Sequence, residues 1–147
     1  MSVNSIDQLN LYGMDRYLNE FIHLYDSKLL PNKILLSGYK GVGKSVLAFH
    51  FINYILSKNE EHPYNLEEQE INISNKSFNL LKNNSHPNFY YTNIEDDKKN
   101  ISVNQIRNMI SFCNKSSFNN CERIVLIDDV YNLNKSSANS LLKILEE

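Results

Sequence analysis

Apolar residues recur at helical spacing in several stretches of the chain and run together at strand length in three others. In residues 14 to 28, MDRYLNEFIHLYDSK, Leu18, Phe21, Ile22 and Tyr25 fall at i, i+3, i+4 and i+7, while Asp15, Arg16 and Glu20 face away. That spacing predicts a surface helix, stopped by Pro31. KILLS (33 to 37) is too short for a helix between Pro31 and Gly38 and predicts a buried strand. SVLAFHFINYILSK, which follows the glycines, is apolar nearly all round and predicts a helix covered on most sides. Residues 57 to 85 are polar with scattered apolar positions, the pattern of an insertion with one short helix around Phe78 to Leu81. HPNFYYTNI (86 to 94) clusters aromatic and β-branched residues and predicts a second strand, with EDDKKN after it as a solvated turn. Ser102 and Gln105 fit a capping box before a stripe of Val103, Ile106, Met109 and Ile110. CERIVLIDD (121 to 129) predicts a third strand ending in two carboxylates. The stretch from Asn134 to Glu147 predicts a last helix with Ala138, Leu141, Leu142 and Leu145 inward.

Strands alternating with helices imply an α/β fold with an open, mostly parallel sheet covered by helices on both faces. At 147 residues and 41% hydrophobic content the chain suffices for one core. Three strands are few for such a sheet, so the expectation is the N-terminal part of a longer protein, incomplete at the C-terminus.

Charge narrows the partners. With 15 basic against 17 acidic residues there is no broad basic surface, so autonomous nucleic-acid binding is not expected. Cys113 and Cys121 are too few for a disulfide framework and match no zinc pair, which predicts ordinary thiols. MSVNSIDQLN lacks a basic-then-apolar signal region, and no apolar run approaches the roughly 18 residues of a membrane span. The expectation is a cytoplasmic chain without a membrane. His23, His50, His62 and His86 read as packing or surface residues.

The chemistry concentrates in GYKGVGKS, residues 38 to 45, which holds three of the four glycines. Gly38, Gly43, Lys44 and Ser45 occupy the fixed positions of the P-loop template G-x-x-x-x-G-K-[ST]. Glycines let the backbone curl so that its N–H groups turn inward at phosphate oxygens, and the following helix adds its positive N-terminal end. The candidate phosphate cradle is therefore Gly38, Tyr39, Lys40, Gly41, Val42, Gly43, Lys44 and Ser45. Lys44 would reach the β- and γ-phosphates, and the Ser45 hydroxyl would join a magnesium shell. The apolar run RIVLI delivers Asp128 as a second magnesium residue and Asp129 as the group that orients or deprotonates attacking water. No guanine-reading NKxD element is present, so ATP is preferred to GTP.

With these residues in place, the order of elements resembles the AAA+ ATPase core, a RecA-like P-loop NTPase. Within it, the similarity is to bacterial clamp-loader subunits, above all the delta-prime family of DNA polymerase III. The stretches that carry it are LYGM (11 to 14), LLPNKILLSGYKGVGKS (29 to 45), HPNFYY (86 to 91), ISVNQIR (101 to 107) and RIVLIDDVYNLNKSSANSLLKILEE (123 to 147). The resemblance implies ATP and Mg2+ as cofactors, with Leu11 and Tyr12 against the adenine. It also implies a hetero-oligomer with other clamp-loader subunits, which meets the sliding clamp and primer-template DNA through the complex. Many relatives carry a four-cysteine zinc module after the P-loop helix, but residues 57 to 85 contain no cysteine, so no zinc is expected. Active relatives usually have glutamate where Asp129 stands, which bears on hydrolysis more than on binding. Asn104 stands where relatives often have aspartate. The sensor residues, arginine finger, lid and oligomerisation domain of the family would follow residue 147. A gamma- or tau-type motor subunit, a stator working through protein contacts, and a P-loop phosphotransferase acting on a small molecule stay open as alternatives.

Overall fold

A computed structural model describes residues 4 to 146. Outside them lie the first three residues of the stretch read above for a signal region, and Glu147, where the last helix is expected to end. The chain divides into two compact units, one up to Ser85 and one from His86.

In the first unit, helix α1 (Asp15–Asp26) follows the predicted stripe, with Leu18 and Ile22 buried. Its end is a Schellman turn: Lys28 takes the left-handed conformation (φ 59°), its N–H donates to the Tyr25 carbonyl, and the Leu29 N–H donates to the Leu24 carbonyl. Helix α2 (Lys44–Ser57) buries Leu47, Ala48, Phe49, His50, Phe51, Ile52 and Asn53, as its all-round apolar pattern requires. Leu11, Leu18, Ile22, Leu47, Phe51, Tyr64, Ile71 and Phe78 form one core, with the Phe21 and Phe51 rings 5.3 Å apart.

One expectation changes here. The predicted strand at 33–37 is not formed. The segment enters no ladder among the described residues, and Leu35 is 75% exposed. An apolar run supplies strand propensity, but a strand exists only where a neighbour takes its N–H and C=O groups. Residues 57 to 85, expected to hold one short helix around Phe78 to Leu81, carry that helix and add side chains to the core. Tyr64, Ile71 and Phe78 pack into it, and helix α3 (Lys76–Lys82) is capped by Asn75, whose side chain accepts from the Phe78 N–H. The Leu11 N–H donates to the Gln69 carbonyl and the Ile71 N–H to the Leu9 carbonyl, so this segment also fixes the residues just before α1.

Buried polar groups of α2 are paired. Asn53 and Asn75 exchange amide hydrogen bonds at 3.1 and 3.3 Å. His50, fully buried, lies 2.7 Å by Nδ1 from the Tyr64 hydroxyl and 2.8 Å by Nε2 from the Gln8 carbonyl. A carbonyl only accepts, so Nε2 carries the proton and Nδ1 accepts from Tyr64. Burial holds the imidazole below its usual 6.5, against the opposing pull of the Gln8 carbonyl. The unfolded chain therefore takes up a proton before the folded one does. Stability should be level above pH 6.5 and fall as pH drops from there to the lowered folded value, by at most about 1.4 kcal/mol per pH unit from this group. Urea midpoints at pH 7.5 and 5.5 test this, and His50→Gln should flatten the difference; an equal decline in the variant would remove His50 as its source.

The second unit is a parallel β-α-β arrangement followed by a helix. Strands β1 (Phe89–Thr92) and β2 (Ile124–Ile127) pair in parallel with Phe89 opposite Ile124 and Thr92 opposite Ile127. Helix α4 (Val103–Cys113) is the crossover and opens with the predicted capping box. Helix α5 (Lys135–Glu146) starts at Asn134, whose side chain accepts from the Ser137 N–H. Ile101, Ile106, Met109 and Leu141 form the core, with Tyr90, Val125 and Ile144 against it. On α5 the inward face is Ser137, Leu141 and Ile144, whereas Leu142 and Leu145, expected inside, are exposed. On that inward face the buried Ser137 hydroxyl lies 2.8 Å from the Ile101 carbonyl and 2.9 Å from Asn134 Oδ1.

The fold class is thus α/β, with a parallel sheet of two strands among the described residues in place of the three expected. No helix among those residues is long and apolar enough to cross a membrane. Both cysteines are free thiols.

Candidate functional site

The loop from Gly38 to Ser45 belongs to the first unit and leads directly into α2, which begins at Lys44. Gly41 (φ 81°) and Gly43 (φ 96°) are left-handed, a conformation that costs other L residues about 1–2 kcal/mol. Gly43 is also the residue before the helix, so its conformation directs the first-turn N–H groups of α2 toward the loop. The Lys44 ammonium spans the loop, donating to the Gly38 carbonyl at 2.9 Å and the Tyr39 carbonyl at 2.8 Å. A β-carbon at Gly38 would lie 3.6 Å from Val42 Cγ1 and 3.9 Å from Lys44 Cδ, in the space the lysine stem crosses.

These residues fit a triphosphate. The helix start presents N–H donors, the loop carries a cation with three hydrogens of which two are committed, and Tyr39, Lys40, Gly41 and Val42 are exposed. Ser45 follows Lys44 in the first turn of α2, half-buried. Met14 Cε lies 3.6 Å from where a Gly43 β-carbon would stand, so the LYGM segment packs on the loop. Of the two residues expected to face an adenine, Tyr12 is 79% exposed, whereas Leu11 is sealed into the core beside Leu18 and Phe51.

The two aspartates belong to the second unit. The Asp128 N–H donates to the Thr92 carbonyl at 2.9 Å, carrying the parallel pairing one residue past β2 and setting the carboxylate at the strand end. Asp128 Oδ1 accepts from the Asp129 N–H at 3.0 Å and Oδ2 from the Tyr91 hydroxyl at 3.1 Å. Burial and the neighbouring Asp128 charge push the Tyr91 phenol up to about 12, so it remains a donor at neutral pH. Asp129 is itself left-handed (φ 51°, ψ 47°) and turns the chain into a short 3-10 helix, Val130–Asn132.

Tyr91 is the site neighbour that sequence reasoning passes over. FYYT reads only as strand composition, but period-2 alternation puts Tyr90 and Tyr91 on opposite faces. Tyr90 packs into the core on α4, leaving Tyr91 on the other face with Asp128.

The family model described as DNA polymerase III, delta subunit, matches residues 13–147. A DNA polymerase III subunit delta' of Pseudomonas aeruginosa is 30% identical over 113 residues, covering 77% of this chain and 33% of that protein. The subunit delta' of Buchnera aphidicola subsp. Baizongia pistaciae is 28% identical over 138 residues, 85% of this chain and 39% of that protein. The chain thus spans between a third and two fifths of the length of these relatives. A match over residues 13–147 covers more than nine tenths of the sequence, from the end of LYGM through the P-loop and both aspartates to the last helix: the chain belongs to the DNA polymerase III delta-subunit family.

Proposed function

We propose that residues 1–147 are part of the ATP-binding domain of an AAA+ clamp-loader subunit of DNA polymerase III, acting in the cytoplasm during DNA replication. The loop from Gly38 to Ser45 carries this reading: left-handed glycines lead into a helix start, with a lysine ammonium held across the loop. The first-turn N–H groups of α2 and Lys44 would hold the phosphates. Ser45 would hold magnesium, which neutralises phosphate charge when bound. Asp129 would orient water. Its partners would be the other loader subunits, and through them the sliding clamp and primed DNA, as the names of the relatives suggest.

A stator-like subunit that binds ATP and turns it over slowly is favoured over a fast motor by Asp129. Its carboxylate is one methylene shorter than glutamate, and its backbone is committed to a left-handed turn. Calorimetric titration of the full-length chain with MgATP, MgADP and MgGTP tests the nucleotide reading. Saturable binding of both adenine nucleotides, with GTP weaker, is expected. No binding of ATP or ADP, by the chain alone or within the assembled complex, would overturn it.

A further inference from the structure

We propose that His50 is a positioning residue for Tyr12 on the base side of the nucleotide site, and that residues 69 to 82 complete the hold on that segment. The proposal rests on the reading of the loop from Gly38 to Ser45 as a phosphate site with Tyr12 beside the adenine, and adds to it what fixes the distance between the two. All of these residues belong to the first unit.

The Tyr12 ring is 79% exposed and takes no place in the core, so the residues on either side of it set its position. After it, Gly13 is left-handed (φ 70°), and Met14 packs on Gly43 at the start of α2. Two residues of chain span at most about 7 Å, so Tyr12 cannot stand far from the phosphate loop. Before it, the Leu11 N–H donates to the Gln69 carbonyl at 3.1 Å and the Ile71 N–H to the Leu9 carbonyl at 2.8 Å, an antiparallel pairing that brings Asn10 opposite Glu70. Gln8 is held by His50, whose Nε2 donates to its carbonyl at 2.8 Å, and Asp7 by Lys82, with 2.7 Å between carboxylate and ammonium. His50 differs from the other anchors because it stands on α2 itself, six residues after Lys44, or about 9 Å along the helix axis. One helix therefore presents the phosphate end of the site at its first turn and grips the approach to Tyr12 from its second. The Tyr64 hydroxyl on Nδ1 fixes the tautomer that makes this grip: with Nδ1 accepting, the ring hydrogen lies on Nε2.

The test uses the full-length chain and compares its affinity for MgATP with that for magnesium tripolyphosphate, which has the phosphates without the base. Wild type should bind MgATP the more tightly, and Tyr12→Ala should remove most of that difference. His50→Asn keeps an oxygen as far from Cβ as Nδ1, to meet Tyr64, but ends short of Gln8. His50→Gln carries an amide nitrogen as far from Cβ as Nε2 and restores the donor. In His50→Asn the MgATP affinity should fall roughly fivefold, within the stacking contribution of one aromatic side chain to a base, while tripolyphosphate affinity stays within about twofold. His50→Gln should return both affinities to within about twofold of wild type, and His50→Asn should change nothing further in a Tyr12→Ala background. Lys82→Ala, at an exposed ion pair, should show the same one-sided loss at about threefold, and decides the matter if His50→Asn does not fold. Folded variants with both affinities unchanged, or both reduced equally, would overturn the positioning role while leaving the nucleotide site intact. A wild-type chain that binds MgATP no more tightly than tripolyphosphate would overturn the base-side reading and this proposal with it. A wild-type chain that binds neither would overturn the nucleotide reading as a whole.

Discussion

Lys44→Ala in the full-length chain should weaken ATP binding on the order of a hundredfold and leave the fold intact. A hydrogen bond from a charged donor contributes roughly 1.5–3 kcal/mol, and the loss falls on the part of the ligand that carries most charge. The structure separates this effect from stability. The Lys44 ammonium bonds to the Gly38 and Tyr39 carbonyls at the exposed loop, not to the core, so alanine should move the urea midpoint little. Alanine also has the highest helix propensity and does not harm the first turn of α2. Affinity is read by titration with MgATP and folding by circular dichroism. A change in affinity below about threefold, with the protein folded, would remove Lys44 from the phosphate site.

The second large effect is expected two residues from a silent position. Ile71→Ala should cost about 2–4 kcal/mol, because Ile71 is 2% exposed and packs in the core with Leu11, Tyr64 and Phe78. Ile73→Ala should stay within about 0.5 kcal/mol, because Ile73 is 63% exposed. Urea unfolding of the pair decides whether residues 57 to 85 decorate the first unit or help build it. Equal, small effects would show that the core closes without this segment.

Ile71 and Ile73 also mark where sequence reading stops. Helix α1, helix α4 with its capping box, and the strands β1 and β2 were legible because each depends on local spacing: an apolar stripe, a Ser and Gln three apart, a run of Ile, Val and Leu. The left-handed glycines Gly41 and Gly43 were legible for the same reason, since a short glycine pattern determines its own backbone. Residues 57 to 85 contribute their apolar side chains one at a time, at Tyr64, Ile71 and Phe78, with no period to detect. KILLS fails in the opposite direction: its composition suits a strand, but composition cannot provide the neighbouring chain that a ladder needs. On α5 the local pattern favoured the more numerous leucines, whereas the inward face carries Ser137, Leu141 and Ile144. In the candidate site, the residue types of the loop and of Asp128 were readable. The bond from the Tyr91 hydroxyl to Asp128 was not, since it depends on pairing register between β1 and β2.

Helix α4 is tied down at both ends. At its start, Gln105 bonds to the Asn93 carbonyl just beyond β1. At its finish, the Arg123 guanidinium, one residue before β2, stacks 4.5 Å over the Phe112 ring and donates to the Phe112 and Ser116 carbonyls. A rod pinned at two points to one plate has little freedom to slide along its own axis. It can roll about the line joining the pins, or travel with the plate. Asp128 stands just past the end of β2, on the plate to which both pins are fixed.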